Sequence, residues 1–457
     1  MRWFWCFGVL LVAACGQSPA TGVSKSAITA DGIATKPQPA MIFPVPSAVM
    51  PNRSNGQIAQ DFLDLEFHME SGLVLPVLTR FDGPVTIGMA GNVPPTAPGD
   101  LALLMTRLRN EAGLDVVPAS PGSAALITID FEPQAVLKQL EPTAACFVVP
   151  NVSSLAEYRS LRGSEALNWP SLTTRRKAAI FVPSDTSAQE VRDCLHEETA
   201  QALGPLNDLY RLPDSVFNDD NFQSVLTGFD MLMLRLHYAP ELQSNMPEAE
   251  VRARLPALLA RLNPAGDYAG SWSQPDTPRE WIDAVARALG PNTPASARLP
   301  AARTMLDIAK SRGWQDNRLG FAWYAYGRMQ APHDPLAAEA DYTNAAHIYA
   351  GLPDGGIHLS HALMQLSAIA LATGRPELAI SLADQALPLA KVGQNAALEA
   401  TLLLIKSQSL GRLGRTGDAA KLRLDSLAAA RYGFGSDPEV RAREDDIAAL
   451  AQHPAGG

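Results

Sequence analysis

Between residues 85 and 204 the chain alternates short runs rich in β-branched residues with amphipathic segments, and after about residue 248 the β runs stop. Val85-Thr-Ile-Gly-Met89, Ala125–Phe131, Ala145–Val149 and Ala178–Val182 have the length and composition of strands. Asp100 to Glu111 places Leu101, Leu104, Met105 and Leu108 at helical spacing and meets a stop at Gly113. Ser187-Ala-Gln-Glu190 is a capping box, in which side chains at both ends satisfy the first free amides of a helix. It predicts a helix running to about Leu203 and ending at Gly204. The order strand, helix, several strands, helix implies an α+β domain.

From about residue 248 the pattern is helical, interrupted by Pro/Gly-rich stretches at 264–276 and 290–297. Thr277-Pro278-Arg279-Glu280 reads as a second capping box with proline at the first helical position. Thr373-Gly374-Arg375 and Leu413-Gly414-Arg415 lie 40 residues apart, and each precedes an alanine-rich amphipathic segment. This resembles tetratricopeptide-type helical hairpins of long period, the rival reading being a plain helical bundle. Trp314, Trp323, Tyr324 and Tyr326 are read as core, with a concave peptide-binding face as the alternative. The two parts are expected to separate across 264–276, where few contacts should cross.

At 457 residues the chain has room for about three domains of roughly 150 residues each. Its net charge of −10 and lack of basic runs longer than Arg175-Arg176-Lys177 exclude a phosphate-binding footprint, so no nucleic-acid partner is expected. No run of about 18 apolar residues occurs that would form a membrane-spanning helix.

The N-terminus carries Arg2, an apolar run from Trp3 to Val12, then Ala13-Ala14-Cys15. This resembles the bacterial lipobox, in which the cysteine receives diacylglycerol; a plain secretory signal cut nearby is the alternative. The lipobox reading makes Cys15 the first mature residue and the membrane a partner through its lipid. Gly16 follows it with no aspartate as an inner-membrane signal, which points to the periplasmic face of the outer membrane. Of the four cysteines, Cys6 falls in the leader and Cys15 takes lipid, leaving Cys146 and Cys194 as a natural disulfide in an oxidising compartment. Such a bridge closes a loop of about 50 residues and contributes on the order of 4 kcal/mol. A Cys194/His196 dyad is disfavoured, since residues two apart on a helix do not face each other.

Residues 194–208 read C-L-H-E-E-T-A-Q-A-L-G-P-L-N-D. His196-Glu197 does not begin an H-E-x-x-H motif, because Ala200 stands four residues on. One residue later, Glu197-Glu198-x-x-Gln201-x-x-Gly204-x-x-Asn207-Asp208 has the spacing of the zinc helix of metzincin metallopeptidases, H-E-x-x-H-x-x-G-x-x-H-D. Glu197, Gln201 and Asn207 replace the three histidines, while Glu198 keeps the position of the water-activating glutamate. Asp214-Ser215-Val216-Phe217 stands where metzincins place the Met-turn, with Phe217 for methionine, and Leu226–Tyr238 resembles their closing helix. The stretch E-E-T-A-Q-A-L-G-P-L-N-D, together with D-S-V-F-N-D-D-N and the Tyr238–Met246 tail, is similar to a bacterial family of exported domains of unknown function, over about residues 60–246.

Zinc prefers imidazole and thiolate, and neutral amide oxygens are weak donors to it; one carboxylate with two amides suits a harder ion such as calcium, and only weakly, so no resident cofactor is expected and a weakly held divalent metal is the exception. Glu198 is a solvated surface residue on one reading; on the other, the Ala/Leu-rich helix around it is buried and its carboxylate needs partners. His68, His196 and His237 are isolated and read as surface or locally satisfied residues. The resulting expectation is a leader over 1–15, a tether over 16–60 and a zincin-like α+β domain over 61–246. A helical linker over 247–298 and an all-α tetratricopeptide-like domain over 299–450 complete it. The function expected is non-catalytic binding of a protein or peptide partner through the helical repeats. The rival is a metal-dependent peptidase or hydrolase with Glu198 as general base.

Overall fold

The computed structural model describes residues 41, 43, 49–120, 122–268 and 276–452. The expected leader, Cys15 and the expected tether through residue 48, Met41 and Phe43 excepted, lie outside the described residues, as do residues 269–275 of the expected boundary.

The folded body begins earlier than residue 61. Helix α1 (Asn55–Phe67) opens on a capping box between Ser54 and Gln57 and buries Ile58, Phe62, Leu63 and Leu65, so the tether expected to reach residue 60 ends before it. Strand β1 (Val85–Gly91), helix α2 (Ala97–Glu111), strands β2 (Val116–Pro118) and β3 (Ile127–Glu132), helix α3 (Gln134–Leu140), strand β4 (Phe147–Pro150), helix α4 (Leu155–Leu161), strand β5 (Ala178–Pro183) and helix α5 (Ala188–Leu203) follow. Helices α6 (Gly228–His237) and α7 (Glu248–Leu262) close this part, with α7 packed on α1.

The five strands form one sheet in the order β2-β1-β3-β5-β4, parallel except for β4, which pairs antiparallel with β5 at the edge. Every residue of β5 is buried, as expected of a strand covered on both faces. Ile180 and Val182 join the larger core with α2 and α5, while Ala179 and Phe181 point to a second core with Leu137, Val149 and Tyr158. Cys146, just before β4, is bonded to Cys194 on α5 with Cα atoms 6.0 Å apart, which clamps α5 to the edge of the sheet.

The rest is helical: α8 (Arg279–Leu289), α9 (Ala295–Ser311), α10 (Asn317–Gln330), α11 (Pro335–Gly351), α12 (Gly356–Ala372), α13 (Pro376–Val392), α14 (Ala396–Arg412), α15 (Thr416–Phe434) and α16 (Asp437–Gln452). From α8 to α16 each packs against the next in sequence. The 40-residue spacing is structural: Ser367 Oγ donates to Ala379 O at 2.7 Å and Ser407 Oγ to Ala419 O at 2.8 Å, bonds that tie α12 to α13 and α14 to α15 at matching positions. Gly374 and Gly414 make the matching turns, both at φ +75°, where a side chain would be strained. Trp314 and Tyr324 are core, whereas Trp323 and Tyr326 are half-buried beneath Lys310 and Arg303. The expected capping box at Thr277 does not form. Pro278 takes the cap position and Thr277 Oγ1 instead accepts from Arg318 at 3.2 Å. Among the described residues no helix is long and apolar enough to cross a membrane.

The expectation that few contacts cross between the two parts is overturned. Tyr210 and Phe222, from the loop after α5, sit in the hydrophobic core of the helical region. Tyr210 packs on Trp281 at 4.9 Å, and Phe222 lies against Tyr324, His358 and His361 at 5.0, 4.8 and 4.6 Å. Asp220 Oδ2 accepts from Asn317 at 2.6 Å and from His358 at 2.8 Å. Gln189 on α5 exchanges hydrogen bonds with Asn395 and the Ala397 amide on the other side. A polar run of sequence thus supplies the anchors that join the two cores.

Candidate functional site

Helix α5 has the bounds its sequence signals. Ser187 and Glu190 cap its start, and Gly204 ends it. Its last carbonyls, which have no partner within a helix, are met from outside. Arg175 donates to Gln201 O at 2.6 Å and Ala202 O at 2.7 Å and also reaches Gly204 O, while Tyr238 Oη donates to Leu203 O at 2.9 Å. A buried guanidinium at a helix C-terminus also offsets the negative end of the helix dipole. The helix is therefore a rigid platform, fixed at one side by the disulfide and at its end by Arg175.

The side chains of the zinc-helix frame do not take up the roles their spacing suggests. Glu197 and Gln201 share a face of α5, but Gln201 Nε2 turns to Asp208 Oδ2, at 3.5 Å. Asn207 Nδ2 donates to the Asp64 carbonyl on α1 at 2.9 Å, so the third position serves the packing of α1. The residue that meets Gln201 is the next one, Asp208. The donors do not fit zinc: one carboxylate and two neutral amides stand where three imidazoles would be needed.

A cluster of carboxylates gathers there instead. Oxygens of Glu70, Asp208 and Asp219 all lie within 4.8 Å of one another. Glu70 comes from the exposed turn after α1, closed by a bridge between His68 and Val74, and its carboxylate lies beside that of Asp208. Tyr210 hydrogen-bonds Asp219. Burial, then the charge of Glu198, pushes Glu197 well above the carboxylate range; burial, then Glu70, pushes Asp208 up likewise. Burial with the charge of Glu70 pushes Glu198 up to about 8 and Asp219 up to about 7. Asp193, one turn before Glu197, is pushed up to about 7 by its burial.

Residues 55–257 match the model of a family described as a protein of unknown function, DUF2927. No curated protein and no solved structure matches the chain. The DUF2927 match spans α1, the whole sheet, α5 and the acidic cluster, and ends within α7. Helices α8 to α16 lie beyond it.

Within the DUF2927 segment two histidines each have a partner on Nδ1. His196 Nδ1 accepts from the Leu226 amide at 3.2 Å, and His237 Nδ1 pairs with Glu66 at 2.8 Å. Phe217, at the Met-turn position, is fully buried, and its turn is held by Asp230, which accepts from Ser215 Oγ at 2.6 Å and Val216 N at 3.2 Å. Glu70, Asp208 and Asp219 were not singled out from sequence. Asp208 follows the third frame position and Asp219 belongs to the N-D-D-N run, so both lay inside quoted motifs, whereas the isolated Glu70 carries no local signal.

Proposed function

We propose that this chain is a lipid-anchored cell-envelope protein whose metzincin-like α/β body has lost its peptidase site and acts with the fused helical hairpins as a binding scaffold for a protein or peptide partner. The observation that carries the reading is that none of the three frame positions holds a histidine, one carboxylate and two amides standing there, with the amide nitrogen of Asn207 committed to α1 and that of Gln201 to Asp208. The mostly parallel sheet with an antiparallel edge strand, followed directly by the candidate helix, supports the metzincin comparison. The matched bonds and turns 40 residues apart support the tetratricopeptide comparison, and hairpins of that kind present surfaces to partners. Attachment through Cys15 places the scaffold at the periplasmic face of the outer membrane.

A second reading is a hydrolase with Glu198 as general base. It is favoured by one observation: Glu198 is buried, and among the described residues its Oε2 has no hydrogen-bond partner.

Expression in a bacterial host separates these readings. The mature N-terminus by mass spectrometry is expected to be an acylated Cys15, with Cys15→Ser moving the protein out of the membrane fraction. An unlipidated wild-type chain starting elsewhere contradicts the anchor. The purified protein is expected to release no product from denatured-protein or peptide substrates; hydrolysis abolished by Glu198→Gln establishes the second reading.

A further inference from the structure

Elsewhere in this domain several buried carboxylates are balanced by arginine. Arg211 pairs with Asp61 and Asp64 at 2.7 Å each, and Arg53 pairs with Asp214 at 2.7 Å. The cluster beside α5 is not balanced in this way. Among the described residues, none of Glu70, Glu197, Glu198, Asp208 and Asp219 is ion-paired with a lysine or arginine, and the charges acting on Asp208 are those of Glu70, Asp219 and Glu197. Two buried oxygens also lack hydrogen-bond partners among the described residues, Asp208 Oδ1 and Glu198 Oε2. Glu198 is only 4% exposed and close enough to Glu70 for their charges to repel.

We propose that Glu70, Asp208 and Asp219 form a binding site for a hard divalent cation of the calcium class, with Glu197 and Glu198 of α5 completing its negative lining. Calcium takes six to eight oxygens at about 2.3–2.6 Å, so two oxygens on one ion are at most about 5 Å apart. The three carboxylates, within 4.8 Å of one another, meet that limit. Magnesium, which binds at about 2.0–2.1 Å in near-ideal octahedra, draws its ligands closer and dehydrates reluctantly. Glu70 is exposed on its turn, so an ion reaches the site from solvent without opening the core. Asp219 adjoins Asp220, which Asn317 and His358 hold from the helical region, so the ion ties the Glu70 turn and α5 to the junction with that region. This site uses neither Gln201 nor Asn207 and stands whether or not the scaffold reading holds.

Calorimetric titration of calcium chloride into chelator-treated, re-equilibrated full-length protein at neutral pH tests it. One saturable site is expected, with Kd on the order of 10⁻⁵–10⁻³ M. Glu70→Gln is expected to weaken binding by about tenfold or more while leaving the circular dichroism unchanged, because Glu70 lies on an exposed turn. Asp208→Asn is expected to abolish binding, and Glu248→Gln, on the exposed surface of α7, to leave it unchanged. No saturable binding by the wild type overturns the site. Unaltered binding in both Glu70→Gln and Asp208→Asn overturns the assignment of residues, and tighter binding of magnesium than of calcium overturns the assignment of the ion.

Discussion

Glu198→Gln is expected to unfold at a higher temperature than the wild type at about pH 8, in the presence of chelator, and at the same temperature near pH 4. Glu198 ionises near 4.5 when exposed and is pushed up to about 8 in the fold by burial and by Glu70. A carboxyl whose folded value is raised binds more protons in the native than in the unfolded state throughout that window. Stability is therefore fully present below about pH 4.5 and falls as pH rises through about 8. At about 1.4 kcal/mol per unit the loss is on the order of a few kcal/mol for this group alone, shared with Glu197, Asp208 and Asp219, whose values are raised in the same direction. Glutamine matches the protonated carboxyl in shape and removes the titration. Urea or thermal unfolding of both proteins at several pH values checks this; a variant less stable than the wild type at both ends of the range contradicts it.

Phe222→Ala is expected to cost roughly 3–5 kcal/mol, the range for truncating a buried phenylalanine. The ring is 2% exposed, and it is the plug of the α/β part in the helical core, against Tyr324, Tyr349, His358 and His361. Since Tyr210 and Asp220 cross the same junction, the wild-type parts are expected to unfold together. Circular dichroism and tryptophan fluorescence melting curves should coincide for the wild type. Two resolved wild-type transitions, or a Phe222→Ala protein as stable as its parent, contradict the shared core.

What could be read from sequence follows from where local physics decides. The ends of α5 were legible because a capping box and a glycine act within a few residues of themselves. The Cys146–Cys194 bridge followed from the reading of the other two cysteines, and the turns at 374 and 414 from a repeated glycine. Beyond Gly204 the chain is no longer helical, so spacing does not determine which of Asn207 and Asp208 faces Gln201; the packing of α1 does, by engaging Asn207. Glu70 lies more than 120 residues before Glu197, and only the tertiary fold brings it to the cluster. Phe222 stands in a polar run with no apolar period, so its role as an anchor is set by the helical region that receives it. Strand β2 is only three residues long, too short to show a period.

Competition for zinc between the full-length protein and a chromophoric chelator bears most directly on the proposed replacement of a zinc site by carboxylates. With neutral amides at Gln201 and Asn207 and no imidazole in the frame, the chelator should retain its zinc and the protein should take up none with nanomolar affinity. One equivalent of zinc held at nanomolar affinity, and lost on Glu197→Ala, would contradict it.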